Sequence, residues 1–314
     1  MNVMRRLLLT CVLLSALPLA LLAQYDPSFS HYWAMEPSFN PAAIGKEQKI
    51  NAAVAYNMTL TGFEHNPRTM YAGGDLPFNF AGMQHGAGLQ FLNDQIGLFS
   101  HRKLAVQYAV KLKLLGGQLA IGVQPGLLSE NFDGSGLDLD EGNDPAFATS
   151  QVTGTAFDLA AGLYYQHRSW YVGASAQHLT APLIYLGETT EMKMSQSYYF
   201  TAGCNIRLRN PFLTIQTSVL GRTDGTGYRA DVSTRLKYTH DKKVMYAGLG
   251  YSPTNSATVF LGGLFHGIML GYSYEIYTSA ISLGNGSHEI MLGYQTDIDF
   301  HKKGRNRHQS VRIL

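Results

Sequence analysis

Apolar and polar residues alternate with a period of two along most of this chain. In one stretch Leu104, Val106, Tyr108, Val110, Leu112 and Leu114 share one parity, while Ala105, Gln107, Ala109, Lys111 and Lys113 share the other. Gly116 and Gly117 then reverse the chain, and Leu119, Ile121 and Val123 resume the alternation. The same rhythm runs through Tyr228, Ala230, Val232, Leu236 and Tyr238 against Arg229, Asp231, Ser233, Arg235 and Lys237. Phe157 to Tyr165 and Ile268 to Ile276 carry similar stripes. Strict alternation of this kind marks strands with one apolar face and is foreign to an amphipathic helix. A hairpin that is apolar on one side yet carries two lysines on the other fits a wall between lipid and a wet lumen.

Reading strands between turn signals predicts about fourteen, at 46–62, 68–78, 83–94, 98–114, 117–129, 153–166, 169–180, 196–208, 211–222, 227–240, 243–253, 256–265, 266–276 and 287–300. The connections fall into two alternating sets. One set is 63–67, 95–97, 130–152, 181–195, 223–226, 254–255 and 277–286, and it holds all three long loops. The other, near 79–82, 115–116, 167–168, 209–210, 241–242 and 265–266, contains only tight turns. Long loops at one end and short turns at the other are the mark of an outer-membrane barrel. The expected fold is therefore all-β, a transmembrane antiparallel β-barrel of about fourteen strands with a short N-terminal segment before it. Aromatic residues at strand ends, Trp170, Tyr171, Tyr198, Tyr199 and Phe200, are expected to form interfacial girdles. A secreted β-sandwich would alternate too, but it accounts for neither the loop asymmetry nor the even strand count. Closure also removes the open sheet edges that hydrocarbon cannot satisfy.

Composition sharpens this picture at three points. Met1 to Ala23 joins Arg5 and Arg6 to an apolar run and ends on a small residue, the plan of a secretory signal peptide. Removing it also removes Cys11, so Cys204 is left as a single cysteine and no intramolecular disulfide is expected. Charged residues make up 15 % of the chain, against roughly 25 % in ordinary soluble domains. The formal charge of +2 says little about partners.

Two stretches resemble one family. Near the start, "QYDPSFSHYWAMEPSFNPAAIG" carries Asp26, Pro27, Phe29 and Ser30, followed by Asn40, Pro41, Ala42 and Gly45. Near the end, Gly271 and Tyr272 lead to Ser287, His288, Glu289 and Ile290. Both look like the PorP/SprF family of type IX secretion membrane proteins of the Bacteroidetes. That resemblance implies a non-enzymatic component of the cell outer membrane. It would act with periplasmic ring and motor proteins in the export or surface presentation of cargo proteins, which in some members serves gliding motility. The competing function is a passive porin or small-solute transporter.

The expected organisation is signal peptide 1–23, an N-terminal plug or docking segment 24–45, the barrel 46–300 and a basic periplasmic tail 301–314. Residues 24–45 carry Pro27, Pro37 and Pro41, unfit for a strand, with Phe29, Tyr32, Trp33 and Phe39 among them. Exposed aromatics on a free tail are costly, so these four are expected to pack in a plug or meet a partner. The tail concentrates Lys302, Lys303, Arg305 and Arg307, suited to an acidic protein face or lipid phosphates, although a merely solvated tail has the same composition. Nucleic acid is not a sensible partner for an exported barrel. Outer-membrane lipid is.

No cofactor or metal is expected. The loop with Asp133, Asp138, Asp140, Glu141 and Asp144 breaks the EF-hand pattern, with Gly142 at its fifth position and Thr149 at its twelfth. The histidines are scattered, and no GxSxG, HExxH or CxxC motif organises them for catalysis.

Overall fold

The computed structural model describes residues 26–134, 151–187, 190–241, 243–278 and 286–297. Its strands are β1 (Lys49–Met58), β2 (Arg68–Phe80), β3 (Met83–Ile96), β4 (Phe99–Leu114), β5 (Gly117–Asp133), β6 (Gln151–Gln166), β7 (Trp170–Gln177), β8 (Leu183–Leu186), β9 (Thr190–Lys193) and β10 (Ser197–Arg207). They continue through β11 (Leu213–Thr223), β12 (Tyr228–His240), β13 (Lys243–Ser252), β14 (Ser256–Phe265), β15 (Ile268–Tyr277) and β16 (Ser287–Asp297). Fourteen of these form one closed antiparallel barrel, in which β1 pairs with both β2 and β16. The first and last strands meet in continuous register from Lys49 opposite Asp297 to Met58 opposite His288. Closure thus gives both terminal strands a partner along their full length, as a hydrocarbon surrounding demands.

Every expected strand has a counterpart, with shifted ends. β5 continues to Asp133, beyond the expected 129, and pairs with β6 as far as Gln151. The loop expected at 181–195 is not irregular throughout, because β8 and β9 form a separate hairpin there with Leu183 opposite Lys193. The connection after β1 spans 59–67 and is longer than the expected 63–67. The connections of nine residues or more still lie at one end of the barrel, and the other end carries short ones, from the two-residue turns Ala81–Gly82 and Leu115–Gly116 to the five residues of 208–212.

The alternation of the sequence becomes the two faces of the wall. Leu89, Leu104 and Leu127, 56–60 % exposed, point outward, whereas their neighbours Gln90, Lys103 and Leu128 are buried toward the lumen. A solvent-exposed apolar belt on such a barrel is the surface that lipid covers. Trp170, Tyr198 and Phe200 are exposed on the outside, as girdle residues should be. Tyr171 and Tyr199 are not girdle residues. They neighbour outward aromatics in sequence and so must point inward, where Tyr171 stacks on Tyr164 and Tyr199 on Phe39.

Candidate functional site

Eight strands leave an interior that side chains alone can fill, and sixteen or more leave an aqueous channel. A fourteen-stranded wall falls between these cases and has room for a further segment. Residues 26–45 occupy it. The segment begins at the long-loop end, where Asp26 meets His178 just past β7, and ends at the turn end, where Gly45 lies against Pro77 and Gly86. It includes two short 3-10 turns, Glu36–Ser38 and Pro41–Ala43, each with proline among its first two positions, where a missing N–H costs nothing.

At the loop end the segment is held by charge. The Asp26 carboxylate lies 2.8 Å from His178 Nε2, and Asp158 lies 3.0 Å from Nδ1 on the other side of the same ring. Tyr199 donates its hydroxyl to Asp26 at 3.0 Å. Burial alone would push the Asp26 carboxyl up, but the His178 charge and hydrogen bond outweigh it and hold it well below its usual range. Burial would lower His178, and the two carboxylates instead raise it to about 9. His178 adopts φ +55°, a left-handed conformation that costs a non-glycine residue roughly 1–2 kcal/mol and that the two ion pairs offset.

Further along, Glu289 of β16 accepts from the backbone N–H groups of Ser30 at 2.6 Å and His31 at 3.0 Å, and also contacts His31 Nδ1 at 2.6 Å. The two ends of the chain whose motifs stand out in the sequence therefore touch inside the barrel. Glu289 is 1 % exposed and His31 fully buried, so a carboxylate sits in the wall with its partners supplied by the segment. His288, one residue away, points outward and bonds Tyr272 at 2.8 Å.

The middle of the segment mixes aromatic packing with polar contacts. Tyr32 donates to the Ser218 carbonyl at 2.8 Å, and the Arg235 guanidinium lies 3.6 Å from the Trp33 ring centroid. Lys46 bonds Glu36 at 2.5 Å, and Tyr164 donates to the same carboxylate at 3.0 Å. Gln107 donates to the Pro37 carbonyl, and Ser175 and Gln177 both donate to that of Phe39, each at 2.7 Å.

At the turn end the fit is one of shape. Gly122 and Gly162 face each other across β5 and β6, and Gly173 lies opposite Tyr164 on β7. A Cβ on Gly122 would stand 2.6 Å from Ala42 Cα, and one on Gly162 would stand 3.0 Å from Asn40 Cγ. These glycines form a notch for Asn40-Pro41-Ala42. Asn40 closes it by accepting from Ala42 N at 3.0 Å and donating to the Leu163 carbonyl at 3.1 Å. Gly45, at φ +57°, turns the chain toward β1 while its N–H bonds Asp75 at 2.6 Å and its carbonyl accepts from Lys111.

Of the residues singled out in the sequence, Phe29, Tyr32 and Phe39 are 5 %, 4 % and 7 % exposed, and Trp33 is half-buried. Their side chains lie against the inner barrel wall. Lys302, Lys303, Arg305 and Arg307 lie outside the described residues, as do the expected signal peptide at 1–23 and Asp138, Asp140, Glu141 and Asp144. The receptors of the segment, Glu289, Asp158, His178 and the notch glycines, are not apparent from motif or spacing. Inward glycines on three successive strands were the available signal. Among the described residues, no group of three or more His, Cys, Asp or Glu is arranged to hold a metal.

Comparison with known proteins follows the same lines. The family described as Type IX secretion system membrane protein PorP/SprF matches residues 21–294. Among proteins with curated descriptions, none matches. The fold is similar to that of the CymD monoaromatic hydrocarbon channel, with TM-score 0.53 at 12 % identity over 85 % of this chain and 94 % of that one. The toluene transporter TodX of Pseudomonas putida is 11 % identical over 87 % of this chain and 95 % of its own, with TM-score 0.46. At such identities the likeness is one of fold alone, that of an outer-membrane barrel.

Proposed function

This chain belongs to the PorP/SprF family of type IX secretion system membrane proteins, and on that premise we propose that it is a plugged, non-enzymatic component of that machine in the outer membrane. It would act with periplasmic ring and motor proteins in the export or surface presentation of cargo. The observation that carries this reading is the seating of residues 26–45 along the whole lumen, with Glu289 at one end and the glycine notch at the other. A barrel whose interior is committed to its own chain is better suited to assembly with partners than to bulk passage of solutes.

The turn end, which faces the periplasm in barrels of this class, supports a docking role. Lys113, Arg168, Arg207, Arg209 and Lys243 stand exposed there, against Glu47, Asp241 and Asp297. The chain leaves β16 at the same rim, toward Lys302, Lys303, Arg305 and Arg307. Such a basic rim suits an acidic face on a periplasmic partner, through contacts that weaken beyond about 8 Å at physiological salt.

A second reading, a passive channel for small solutes, is favoured by the fold shared with the CymD channel. It requires the lumenal segment to move aside. A strain lacking this chain and any related copy separates the two. The secretion reading expects cargo stranded in the periplasm with normal solute uptake. Normal secretion with slowed uptake would establish the channel instead.

A further inference from the structure

Between the lumenal segment and the wall at the turn end lies a cavity of about 340 Å³, at the low end of the range for small-molecule sites. Trp33, Met35 and Glu36 of the segment form one side, and Arg235 and Lys237 of β12 with Tyr246 of β13 form another. Ala53 of β1 also lines it, paired with Gly73 on β2 and Gly293 on β16. Three small residues in a row leave room there for an apolar body.

Buried donors without acceptors gather around this cavity. Arg235 is 4 % exposed, yet only its Nη2 finds an acceptor, the Ser218 hydroxyl at 3.3 Å, while Nε and Nη1 have none among the described residues. The Trp33 ring, its centroid 3.6 Å from the guanidinium, attracts the charge but satisfies neither nitrogen. Trp33 Nε1 and the hydroxyl of Tyr246, a residue 8 % exposed, are likewise without partners. Buried polar groups are ordinarily paired, and a buried cation short of acceptors is costly. Their convergence on one cavity points to an acceptor that comes from outside the chain.

The carboxylates nearby are engaged elsewhere. Glu36 has one oxygen without a donor, but the group is charge-paired with Lys46 and bonded by Tyr164. Asp75 accepts from the Gly45 N–H and from Asn51, and Glu47 is exposed. Lys237 follows Arg235 on the same inward parity of β12 and adds a second cation. That strand is the positive pole of the cavity.

We propose that this cavity binds a small organic carboxylate: the carboxylate accepts from Arg235 with the Lys237 ammonium beside it, and an apolar body packs among Trp33, Tyr246 and the row Ala53, Gly73 and Gly293. A guanidinium matches the geometry of a carboxylate, and an inorganic anion would leave the apolar walls uncovered. Because Trp33 belongs to the segment and Arg235 to the wall, the ligand ties one to the other. It enters from the turn end, which faces the periplasm in barrels of this class. The inference goes beyond the secretion reading and holds equally for a passive channel.

The test uses the full chain, purified folded in detergent, with benzoate as the probe at fixed ionic strength. The chain has 2 tryptophans, so Trp170→Phe on the outer face leaves Trp33 as the reporter inside the cavity. Trp33 fluorescence should change saturably with benzoate. Benzamide, of the same shape without the charge, should bind at least about tenfold more weakly, since hydrogen bonds to charged groups are the stronger ones. Arg235→Gln should weaken benzoate by at least about tenfold and benzamide little, while the heat-dependent gel shift of the folded barrel persists. Should that variant fail to fold, Lys237→Gln, on a half-buried side chain, should weaken benzoate several-fold. Equal affinity for benzoate and benzamide overturns the proposal, as does inorganic phosphate binding as tightly as benzoate. So does the absence of any saturable change up to about 10 mM benzoate, or benzoate binding insensitive to Arg235→Gln or, in its place, to Lys237→Gln.

Discussion

The two ends of the lumenal segment are held by opposite physics. At the loop end, Asp26 and His31 are fixed by buried charges just past β7 and on β6 and β16. At the turn end, Asn40 to Ala42 fits a notch from which side chains have been removed, and the contacts are to backbone. A charged seat is strong only while every partner is present, because the survivor of a broken pair stays buried. A shape seat is indifferent to pH and salt but tolerates no added atoms. One segment fastened by both cannot be released by a single change of condition.

Glu289→Ala should break the charged end most severely. It leaves His31 and two backbone N–H groups without their acceptor, and loss of one partner of a buried pair costs about 3–5 kcal/mol. Urea unfolding of the barrel in detergent measures it, with Glu289→Gln expected to recover part of the loss. A cost below about 1 kcal/mol would mean that the loop-end seat is not closed around the segment.

At the other end, Gly162→Leu should cost about 1–3 kcal/mol or more, because neither the Asn40 side chain nor the backbone beside it can yield. The expected sign is a segment expelled from the notch and newly cut by protease within 26–45. Gly221→Leu is the matched control: a Cβ there meets only the Phe200 carbonyl, at 3.9 Å, and the change should stay within about 0.5 kcal/mol.

pH separates the ends more gently. His178 is raised in the folded state to about 9 from an ordinary value near 6.5, so its contribution is complete below about 6.5 and is lost as pH rises through 9. Asp26 is depressed, so its contribution is present above about 4 and disappears on acidification below that. Protease cutting near Asp26 should therefore increase above pH 9 while the Asn40 region stays protected. His178→Gln should abolish the alkaline effect. Equal pH sensitivity at both ends would erase the distinction.

How much of this the sequence discloses follows from the range of each signal. The wall is legible because alternation and turn chemistry are local: Leu104 to Leu114 states its own two faces, and Gly116–Gly117 its own reversal. The aromatics Phe29, Tyr32 and Phe39 are legible as residues that must be covered, but not what covers them. Tyr32 and Phe39 are seated by Ser218 and Tyr199, more than a hundred residues away, and Phe29 packs on Tyr71 of β2, and no local pattern encodes those pairings. Tyr171 and Tyr199 show a different loss. Clustering with Trp170, Tyr198 and Phe200 suggested a girdle, while strand parity already sends adjacent residues to opposite faces. The β8–β9 hairpin went unseen because four-residue strands give too short an alternation to read.

The central claim, that residues 26–45 close this barrel, is tested most directly by electrical conductance in a planar bilayer. The full chain and a chain lacking 26–45 but retaining residues 1–25 and the strands from β1 onward are compared at the same salt. The account predicts that deletion raises single-channel conductance by at least about tenfold, toward the open channels that wide barrels form without a filling segment. Equal conductance of the two proteins, both shown to be folded, would contradict it.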